Sequence, residues 1–315
     1  MSTLSWLIFL LTLIQLFLLQ PKNWRRWVTA PSRLVSRSTL AQLFRPAAFS
    51  QKTSTSLRDL PVELLLRIFE ISATSSQSSY RSLVLTSRAI RELVRLESLP
   101  FLPIFLSKEA HFDSFLQFLE SDSKVGPSIR YLWMIHLDYH CVNLPEQILT
   151  FCPNIVALAC QPQSLLCFLS ASTDAELPHC KELTLHDRVI SSWESQSPNV
   201  IAFCNQIERL HLIGPFLNGW TIPSLPNLFT ASVVYGEKPL EVARFREIFR
   251  DCTRLQRIAL ITELERKKLG FMHEQVKAWN THTDVANIHL LSLPEDWTDM
   301  QMWLDGLYDR DLFWN

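Results

Sequence analysis

The chain has 315 residues, with 30 Lys and Arg against 31 Asp and Glu, and 47% of its residues are hydrophobic. This apolar content excludes a mainly disordered chain. The six glycines exclude a collagen-like chain and one dense in tight hairpins. The net charge of −1 gives no reason to expect nucleic-acid binding. Residues 1–58 hold eight bases and no acid, so we expect a boundary between segments of different roles near Asp59.

The first 27 residues form a hydrophobic N-terminal segment built around the apolar run Leu4–Leu19. This run is shorter than the ~20 residues that a helix needs to cross a membrane, but counting from Leu4 to Trp27 allows a tilted or slightly short span. The bases follow the run, so the positive-inside rule places the downstream chain in the cytosol. A membrane anchor is therefore predicted; organellar targeting, secretion and a segment absent from the working protein are the alternatives. Residues 28–56 are basic and rich in Ser and Thr, which favours a tether.

Three short helices are predicted over residues 57–97. Pro61 suits the first turn of a helix, where its missing N–H is no loss. Apolar residues recur at helical spacing from Leu60 to Phe69, a second helix follows a Ser-rich break, and Thr86 or Ser87 can cap a third. Such a small unit buries little surface alone, so we expect it to bind a partner. The alternative is an ordinary helical subdomain packed on the rest of the chain.

Four pieces of this segment, in this order and spacing, resemble the F-box: Leu-Pro-Val-Glu from residue 60, the Ile68-Phe69 pair, the Leu83-Val84 step and the closing helix around Ile90. The resemblance implies a module that binds a Skp-family adaptor, which links it to a cullin-RING ubiquitin ligase. The positions that it assigns as adaptor-facing or supporting are Leu60, Pro61, Leu64, Ile68, Leu83, Val84 and Ile90. Their physical role would be an apolar anchor in a partner groove.

One pattern recurs over residues 129–293: an apolar residue, a second one three positions later, and a third two positions after that. The second, central residues are 21–30 positions apart: Leu132, Leu158, Leu183, Leu210, Ala231, Ile258 and Ile288. This spacing is close to that of leucine-rich repeats, about 20–29 residues, in which each unit adds one strand and its return to a stacked parallel sheet. Residues 98–293 therefore resemble an irregular leucine-rich repeat. A generic α/β domain with evenly spaced strands is the alternative.

The two ends of this region depart from the repeat. Residues 100–106 are a predicted strand and Ala110–Glu120 a predicted helix, which together form a first, capping repeat. Residues 294–315 are acidic and contain three tryptophans, and we expect them to cap the other end or to form an acidic tail. The family's usual Asn or Cys, five residues after the central Leu, is missing, so repeats of varied length and curvature are expected. The predicted fold class is α/β: a small three-helix F-box-like module followed by an irregular solenoid of parallel strands with helical returns.

Strand side chains alternate, so the residues directly before and after each central position face away from the repeat core. We expect them to be exposed and to form the substrate-binding face. Tyr, Trp and Arg are the residue types that dominate binding hot spots, and the predicted contacts are Tyr131, Trp133, Arg209 and Arg257. The alternative is a solvated sheet face without a ligand.

No P-loop, dinucleotide fingerprint or Gly-x-Ser-x-Gly motif is present in the sequence. His136 and His140, with Asp138 and Cys141 nearby, follow a predicted strand, where the helical spacing of a zinc site does not apply. Cys180, with His179 or His186, is a possible nucleophile site, but Cys180 falls on an inward repeat position. The seven irregularly spaced cysteines favour reduced, mostly buried thiols. We therefore expect no enzyme, no metal and no cofactor.

These expectations describe a non-catalytic, cytosol-facing substrate-recognition subunit of an SCF-type ubiquitin ligase, anchored to a membrane if residues 4–19 insert. The helical module would bind the Skp-family adaptor and through it the cullin, while the repeat domain would bind an unidentified protein substrate. A membrane-tethered interaction scaffold without a ligase role is the alternative. A cryptic hydrolase that uses Cys180 is a third hypothesis.

Overall fold

A computed structural model describes residues 61–75, 77–135, 144–171, 176–186, 197–213, 222–235, 248–249, 251–262, 273–274, 276–278, 280–281, 287–292, 298 and 303. The chain divides into two compact units, Met1–Ser98 and Leu99–Asn315. The predicted anchor and tether, residues 1–56, and the predicted adaptor contact Leu60 lie outside the described residues. Within the described ranges, none of the helices combines the length and the apolar character that crossing a membrane requires.

The described part of the first unit consists of three helices: α1 Val62–Ser75, α2 Gln77–Thr86 and α3 Arg88–Glu97. Their apolar positions meet in one cluster because residues three and four apart share a face of a helix. The buried members of this cluster are Leu65, Phe69, Leu83 and Val94. Arg91 Nε on α3 donates a hydrogen bond of 3.1 Å to the carbonyl of Val84 on α2, which ties the last two helices together.

The starts of α1 and α3 follow from their capping residues. The carbonyl of Pro61 accepts hydrogen bonds from the N–H groups of Leu64 and Leu65, at 3.0 and 3.1 Å, so α1 begins directly after the proline. Ser87 caps α3, and its Oγ accepts a hydrogen bond of 3.2 Å from the N–H of Ile90. A serine in this position satisfies a backbone donor that the helix itself leaves unpaired. The sequence placed the cap at Thr86 or Ser87, and the structure selects Ser87.

The described residues of the second unit form one parallel sheet of eight strands, in which the spatial order of the strands is their order along the chain. Each strand therefore pairs with the strands immediately before and after it in sequence. The strands are β1 Pro103–Leu106, β2 Tyr131–Met134, β3 Ala157–Cys160, β4 Glu182–His186, β5 Arg209–Ile213, β6 Thr230–Tyr235, β7 Arg257–Thr262 and β8 Asn287–Ser292. The chain is thus α/β with one strand per repeat, and the strand expected within residues 100–106 is β1.

The predicted central positions line up across the sheet. Leu132 on β2 pairs with Leu158 on β3, and Leu158 pairs with Leu183 on β4. The same register continues strand by strand to Ile288 on β8. The seven central residues are at most 2% exposed. The apolar period thus predicted the register as well as the strands, because a slip by one residue would turn every buried side chain to the other face.

Helices return the chain from one strand to the next in the first half of the unit: α4 Glu109–Ser121, α5 Leu144–Phe151, α6 Pro162–Ala171 and α7 Pro198–Gln206. Successive helices pack side by side, α4 on α5, α5 on α6 and α6 on α7. With strand order and helix order both following the chain, these helices lie on one side of the sheet. The core forms between the central strand residues and buried helix residues such as Phe112, Ile148 and Leu165.

Amide side chains three residues before a strand bond to the preceding repeat. Asn154 Nδ2 donates to the carbonyl of Pro127 at 2.8 Å, and Asn227 Nδ2 donates to the carbonyl of Asn205 at 2.5 Å. Gln206 Nε2 makes the equivalent bond to the carbonyl of Leu177 at 2.6 Å. Each bond gives a turn carbonyl of the preceding repeat a side-chain donor, and the Leu177 carbonyl also accepts from the N–H of Cys180 at 3.0 Å.

Gly126 marks a close approach between the first two repeats. A Cβ built on Gly126 would overlap the carbonyl oxygen of Phe151, the last residue of α5. No side chain fits between these two backbones, so the position requires glycine.

Candidate functional site

The front face of the sheet is the face opposite the central positions and the helices. It carries the residues directly before and after each central position, in two rows across the sheet. The first row is Tyr131, Ala157, Glu182, Arg209, Thr230, Arg257 and Asn287, and the second is Phe105, Trp133, Ala159, Thr184, His211, Ser232, Ala259 and His289. All four predicted substrate contacts therefore lie on one face, as alternation along the strands requires.

This face is not the exposed surface that the sequence predicted, because much of it is buried. Trp133 is 5% exposed, and Thr184 and Ser232 are each 1% exposed. Tyr131 and Arg209 are half-buried, while Arg257 is exposed. The expected exposure of Trp133 was therefore wrong: another side chain of the same unit covers it, although the register is as predicted.

The side chain that covers Trp133 is Trp303, from the acidic C-terminal stretch. Its ring centroid lies 5.4 Å from that of Trp133 and 5.6 Å from that of Phe105, both in edge-on arrangements. Trp303 is itself 4% exposed. Trp303 packs against β1 and β2 on the front face. The expectation that residues 294–315 cap the far end of the stack or form an acidic tail concerns residues that, apart from Thr298 and Trp303, lie outside the described part of the chain.

The contacts of Trp303 also show that the front face is concave. Neighbouring strands lie about 4.8 Å apart, so β1 and β7 of a flat sheet would be separated by about 29 Å. Trp303 contacts Phe105 on β1 and lines a small pocket together with Ile261 on β7. The hydrophobic cluster around Trp303 also includes Phe105 on β1 and Val234 on β6, which a sheet curved around the indole brings together.

An ion pair lies in the first row of the face. Arg209 Nη1 on β5 is 2.6 Å from Glu182 Oε1 on β4, and the two residues are direct register partners. The Glu182 side chain is 10% exposed and that of Arg209 is 25% exposed. The arginine thereby compensates a carboxylate that is largely withdrawn from water.

Three polar side chains occupy adjacent positions of the second row, Thr184 on β4, His211 on β5 and Ser232 on β6. His211 Nδ1 and Ser232 Oγ are hydrogen-bonded to each other. Burial, together with the nearby Arg209 charge, lowers the pKa of His211 to about 4, so the imidazole is neutral at pH 7. The sequence placed these residues on this face, but nothing in it indicated that they would be buried.

A buried hydroxyl also lies in the first row, beside Arg209. Thr230 is 3% exposed, and its Oγ1 has no hydrogen-bond partner among the described residues. With the ion pair and the three polar side chains, it makes the middle of the front face a buried polar zone. The aromatic group of Phe105, Trp133 and Trp303 lies at the β1 end of that zone.

The predicted adaptor contacts lie in the first unit, and most of them reach its surface. Pro61 and Leu64 are exposed, the latter by 52%, and Ile68, Val84 and Ile90 are half-buried. Leu83 is 3% exposed and belongs to the helical core, which is a supporting position. Pro61, Leu64 and Ile68 follow each other at intervals of three and four residues, so they share one side of α1.

Sequence reasoning missed Leu85 as a surface residue. It is 67% exposed at the end of α2, directly after buried Leu83 and half-buried Val84. Consecutive residues of a helix point about 100° apart, so three apolar residues in a row cannot all face one core. This spacing was the available signal that one of the three reaches the surface.

The hypothetical nucleophile Cys180 is poorly suited to that role. It is fully buried, and burial raises the pKa of its thiol far above the ordinary value, which keeps the sulfur protonated. His186 lies at the far end of β4, a strand that spans about 13 Å by itself, and His179 is exposed. The three residues therefore form no catalytic dyad.

Buried thiols are general in the second unit. Of the six cysteines that the structure describes, five are buried and Cys167 is half-buried. Burial raises the pKa of Cys152 and Cys204 to about 12 and that of Cys252 to about 11. His136, Asp138, His140 and Cys141 lie outside the described residues. Within the described part of the chain, no cluster of three His, Cys, Asp or Glu side chains is placed to hold a metal ion.

Comparison of the chain with protein-family models, with curated proteins and with solved structures gave no match.

Proposed function

We propose that this chain is the substrate-recognition subunit of an SCF-type ubiquitin ligase. Its helical unit binds a Skp-family adaptor, and its parallel-sheet unit binds the protein to be modified. The subunit performs no chemistry of its own. Holding the substrate near the ubiquitin-loading enzyme raises the effective concentration of the reacting groups, and this is the whole of its contribution to catalysis.

One observation carries the proposal: apolar side chains that the F-box resemblance assigns to the adaptor lie on the surface of the helical unit. Leu64 is 52% exposed, while its neighbour Leu65 is 4% exposed and packs in the core. Leu85 adds a second exposed leucine on α2. Contact between a leucine side chain and water is unfavourable, so burying these leucines in a partner groove would stabilise the complex.

The second unit supports the other half of the proposal. Its sheet follows the predicted repeat, and a stack of repeats presents a continuous concave surface of the kind that repeat proteins use for binding. The front face combines aromatic side chains, a charged pair and buried polar groups. Such a mixture provides an apolar anchor together with groups that select a particular ligand.

The test is capture of a purified Skp-family adaptor by the full-length chain. Replacing Leu64 and Leu85 together by Asp should weaken capture by at least about tenfold, because truncating an apolar anchor typically costs 2 kcal/mol or more of binding. The matched control is Phe118→Asp, which places the same charge on an exposed apolar residue of α4 in the other unit. We expect Phe118→Asp to capture the adaptor normally. Equal capture by the Leu64/Leu85 variant and the unmodified chain would refute the adaptor assignment.

The alternative, a membrane-tethered scaffold without a ligase role, rests on the apolar run Leu4–Leu19. It predicts a chain that sediments with membranes but captures no adaptor, whatever residue stands at position 64. Adaptor capture by the unmodified chain, lost on substitution of Leu64 and Leu85, would exclude it.

A further inference from the structure

Trp303 occupies a recess on the front face that is built entirely by other parts of the unit. On β2, Tyr131 and Trp133 have the register partners Ala157 and Ala159 on β3. Large aromatic side chains beside two alanines leave room above β3, and Trp303 packs in the cluster that these residues form. An indole inserted between aromatic edges and small residues buries most of its surface, which is the geometry of a binding anchor.

The recess continues into a pocket with polar and apolar walls. Thr184, His211 and Ser232 contribute polar groups, and Ile213, Val234 and Ile261 contribute apolar ones, with Trp303 as the remaining wall. A neutral histidine and two hydroxyls can accept or donate hydrogen bonds without carrying charge. A mostly apolar recess with a few polar groups is the usual composition of a site that recognises a specific side chain.

Trp303 and its aromatic partners come from opposite ends of the unit. Trp303 lies eleven residues after the end of β8, yet its aromatic partners Phe105 and Trp133 are on β1 and β2. Among the described residues, the recess is lined by strand residues and by Ile135, directly after β2, while the tryptophan comes from the chain that follows the last described strand. The arrangement is that of a binding site occupied by an intramolecular ligand.

The sequence around Trp303 defines the chemistry of that ligand. Residues 298–309 contain Asp299, Asp305 and Asp309 and no base. On the first row of the front face lie the cationic residues Arg209, which is paired with Glu182, and Arg257, which is exposed. An acidic segment and a row with an exposed arginine are complementary in charge, which favours encounter and orientation.

We propose that this recess is a binding site for peptide segments that present a tryptophan among acidic residues, and that Trp303 of the same chain occupies it in cis. The proposal that substrates carry such segments rests on the proposed ligase function. The existence of the binding site does not depend on that function. A substrate segment of this chemistry displaces the chain's own tryptophan. The front face thus binds only ligands that compete successfully with a tethered one.

The experiment measures binding of a fluorescently labelled synthetic peptide with the sequence of residues 298–309 to the full-length chain by anisotropy. Trp303→Ala empties the recess, so this variant should bind the peptide at least about tenfold more tightly than the unmodified chain, in which the tethered tryptophan competes. A peptide with alanine in place of its tryptophan should show no binding. Equal affinity of the two chains, or undiminished binding of the alanine peptide, would overturn the proposal.

Two matched variants locate the site. Trp314→Ala makes the same substitution in the same terminal stretch but outside residues 298–309, and it should bind the peptide as weakly as the unmodified chain. Val234→Asp, added to Trp303→Ala, places a carboxylate at a half-buried wall of the pocket and should abolish the gained binding. Circular dichroism and thermal unfolding check that each variant is folded. Persistent tight binding by the double variant would overturn the assignment to this recess.

A measurement on the unmodified chain keeps the test decisive if Trp303→Ala does not fold. Saturating peptide should displace Trp303 and raise deuterium uptake in the peptide fragment that contains it, whereas the alanine peptide should not. Unchanged uptake would overturn the proposal. Adaptor capture is measured on the same samples. Peptide binding without adaptor capture would refute the ligase role but support the peptide-binding site. Adaptor capture without peptide binding would refute the peptide-binding site but support the ligase role.

Discussion

Arg209 and Glu182 form an ion pair across β4 and β5 on the concave front face, with Arg209 Nη1 2.6 Å from Glu182 Oε1. The carboxylate is more deeply buried than the guanidinium, since the two side chains are 10% and 25% exposed. Removing the arginine would take away a charge that compensates this largely buried carboxylate, which costs more than the pair itself contributes. The arginine predicted to contact a substrate therefore has a structural role as well.

This pairing predicts a measurable coupling between the two residues. Arg209→Met should lower the free energy of unfolding by about 2 kcal/mol, and adding Glu182→Met should recover most of that loss, because the buried carboxylate that the arginine compensates is then absent as well. Urea denaturation followed by circular dichroism measures both effects. The matched control is Lys181→Met, which breaks a pair of the same 2.6 Å length between the same two repeats, with Glu208.

The control pair is about half exposed, so its loss should cost less than about 1 kcal/mol. A cost for Arg209→Met no larger than that for Lys181→Met would show that burial of Glu182 does not matter. Additive effects of Arg209→Met and Glu182→Met would likewise contradict the coupling.

The repeat architecture was predictable because the regular spacing of apolar residues in the sequence indicates which strand side chains pack against the helices. Leu132, Leu158 and Leu183 are buried register partners, as their spacing indicated. A periodic pattern of this kind is local, since each repeat needs only its neighbours to bury its apolar residues.

Burial of the front face was not predictable in the same way. Trp303 reaches Trp133 across 170 positions of sequence, and nothing periodic connects the two residues. Alternation along a strand indicates which face a side chain joins, but not whether another segment covers that face. The amide bonds of Asn154 and Asn227 were also missed, because these residues lie before the strand, whereas the asparagine typical of leucine-rich repeats comes after it.

The neutral state of His211 predicts a pH dependence of stability. Its pKa is lowered from 6.5 to about 4 in the folded chain, so between these pH values only the unfolded chain binds the proton. The free energy of unfolding should therefore fall as the pH drops from 6.5 to 4, by at most about 3 kcal/mol, and this contribution should not change further below pH 4. Because His211 is half-buried rather than fully enclosed, that figure is an upper bound.

The contribution of His211 is isolated by comparing two variants over this pH range. His211→Gln should be less sensitive to acid than the unmodified chain, while His289→Gln, an exposed histidine in the same row, should behave like it. The measured quantity is the difference in unfolding free energy between pH 7 and pH 4.5. Identical acid sensitivity of the two variants would show that His211 is not the group responsible.

The amide bonds between repeats predict a selective loss of stability. Asn227→Ala removes the donor to the Asn205 carbonyl and should lower the free energy of unfolding by about 1 kcal/mol. Asn205→Ala is the matched control, because Asn205 contributes only its backbone carbonyl to this bond and alanine keeps it. Thermal unfolding distinguishes the two. A loss in Asn205→Ala as large as that in Asn227→Ala would mean that the amide side chain is not what matters.

The N-terminal segment predicts a change in partitioning that is independent of both folded units. The run Leu4–Leu19 is apolar and is followed by Lys22, Arg25 and Arg26, which favours an anchor with the rest of the chain in the cytosol. Deleting residues 1–27 should therefore move the protein from the membrane pellet to the supernatant, and a glycosylation tag fused after Asn315 should stay unmodified in the full-length chain. The control deletes residues 28–56, which keeps the apolar run and should leave the protein in the pellet. A full-length protein found in the supernatant would contradict the anchor, and a modified tag would contradict the orientation.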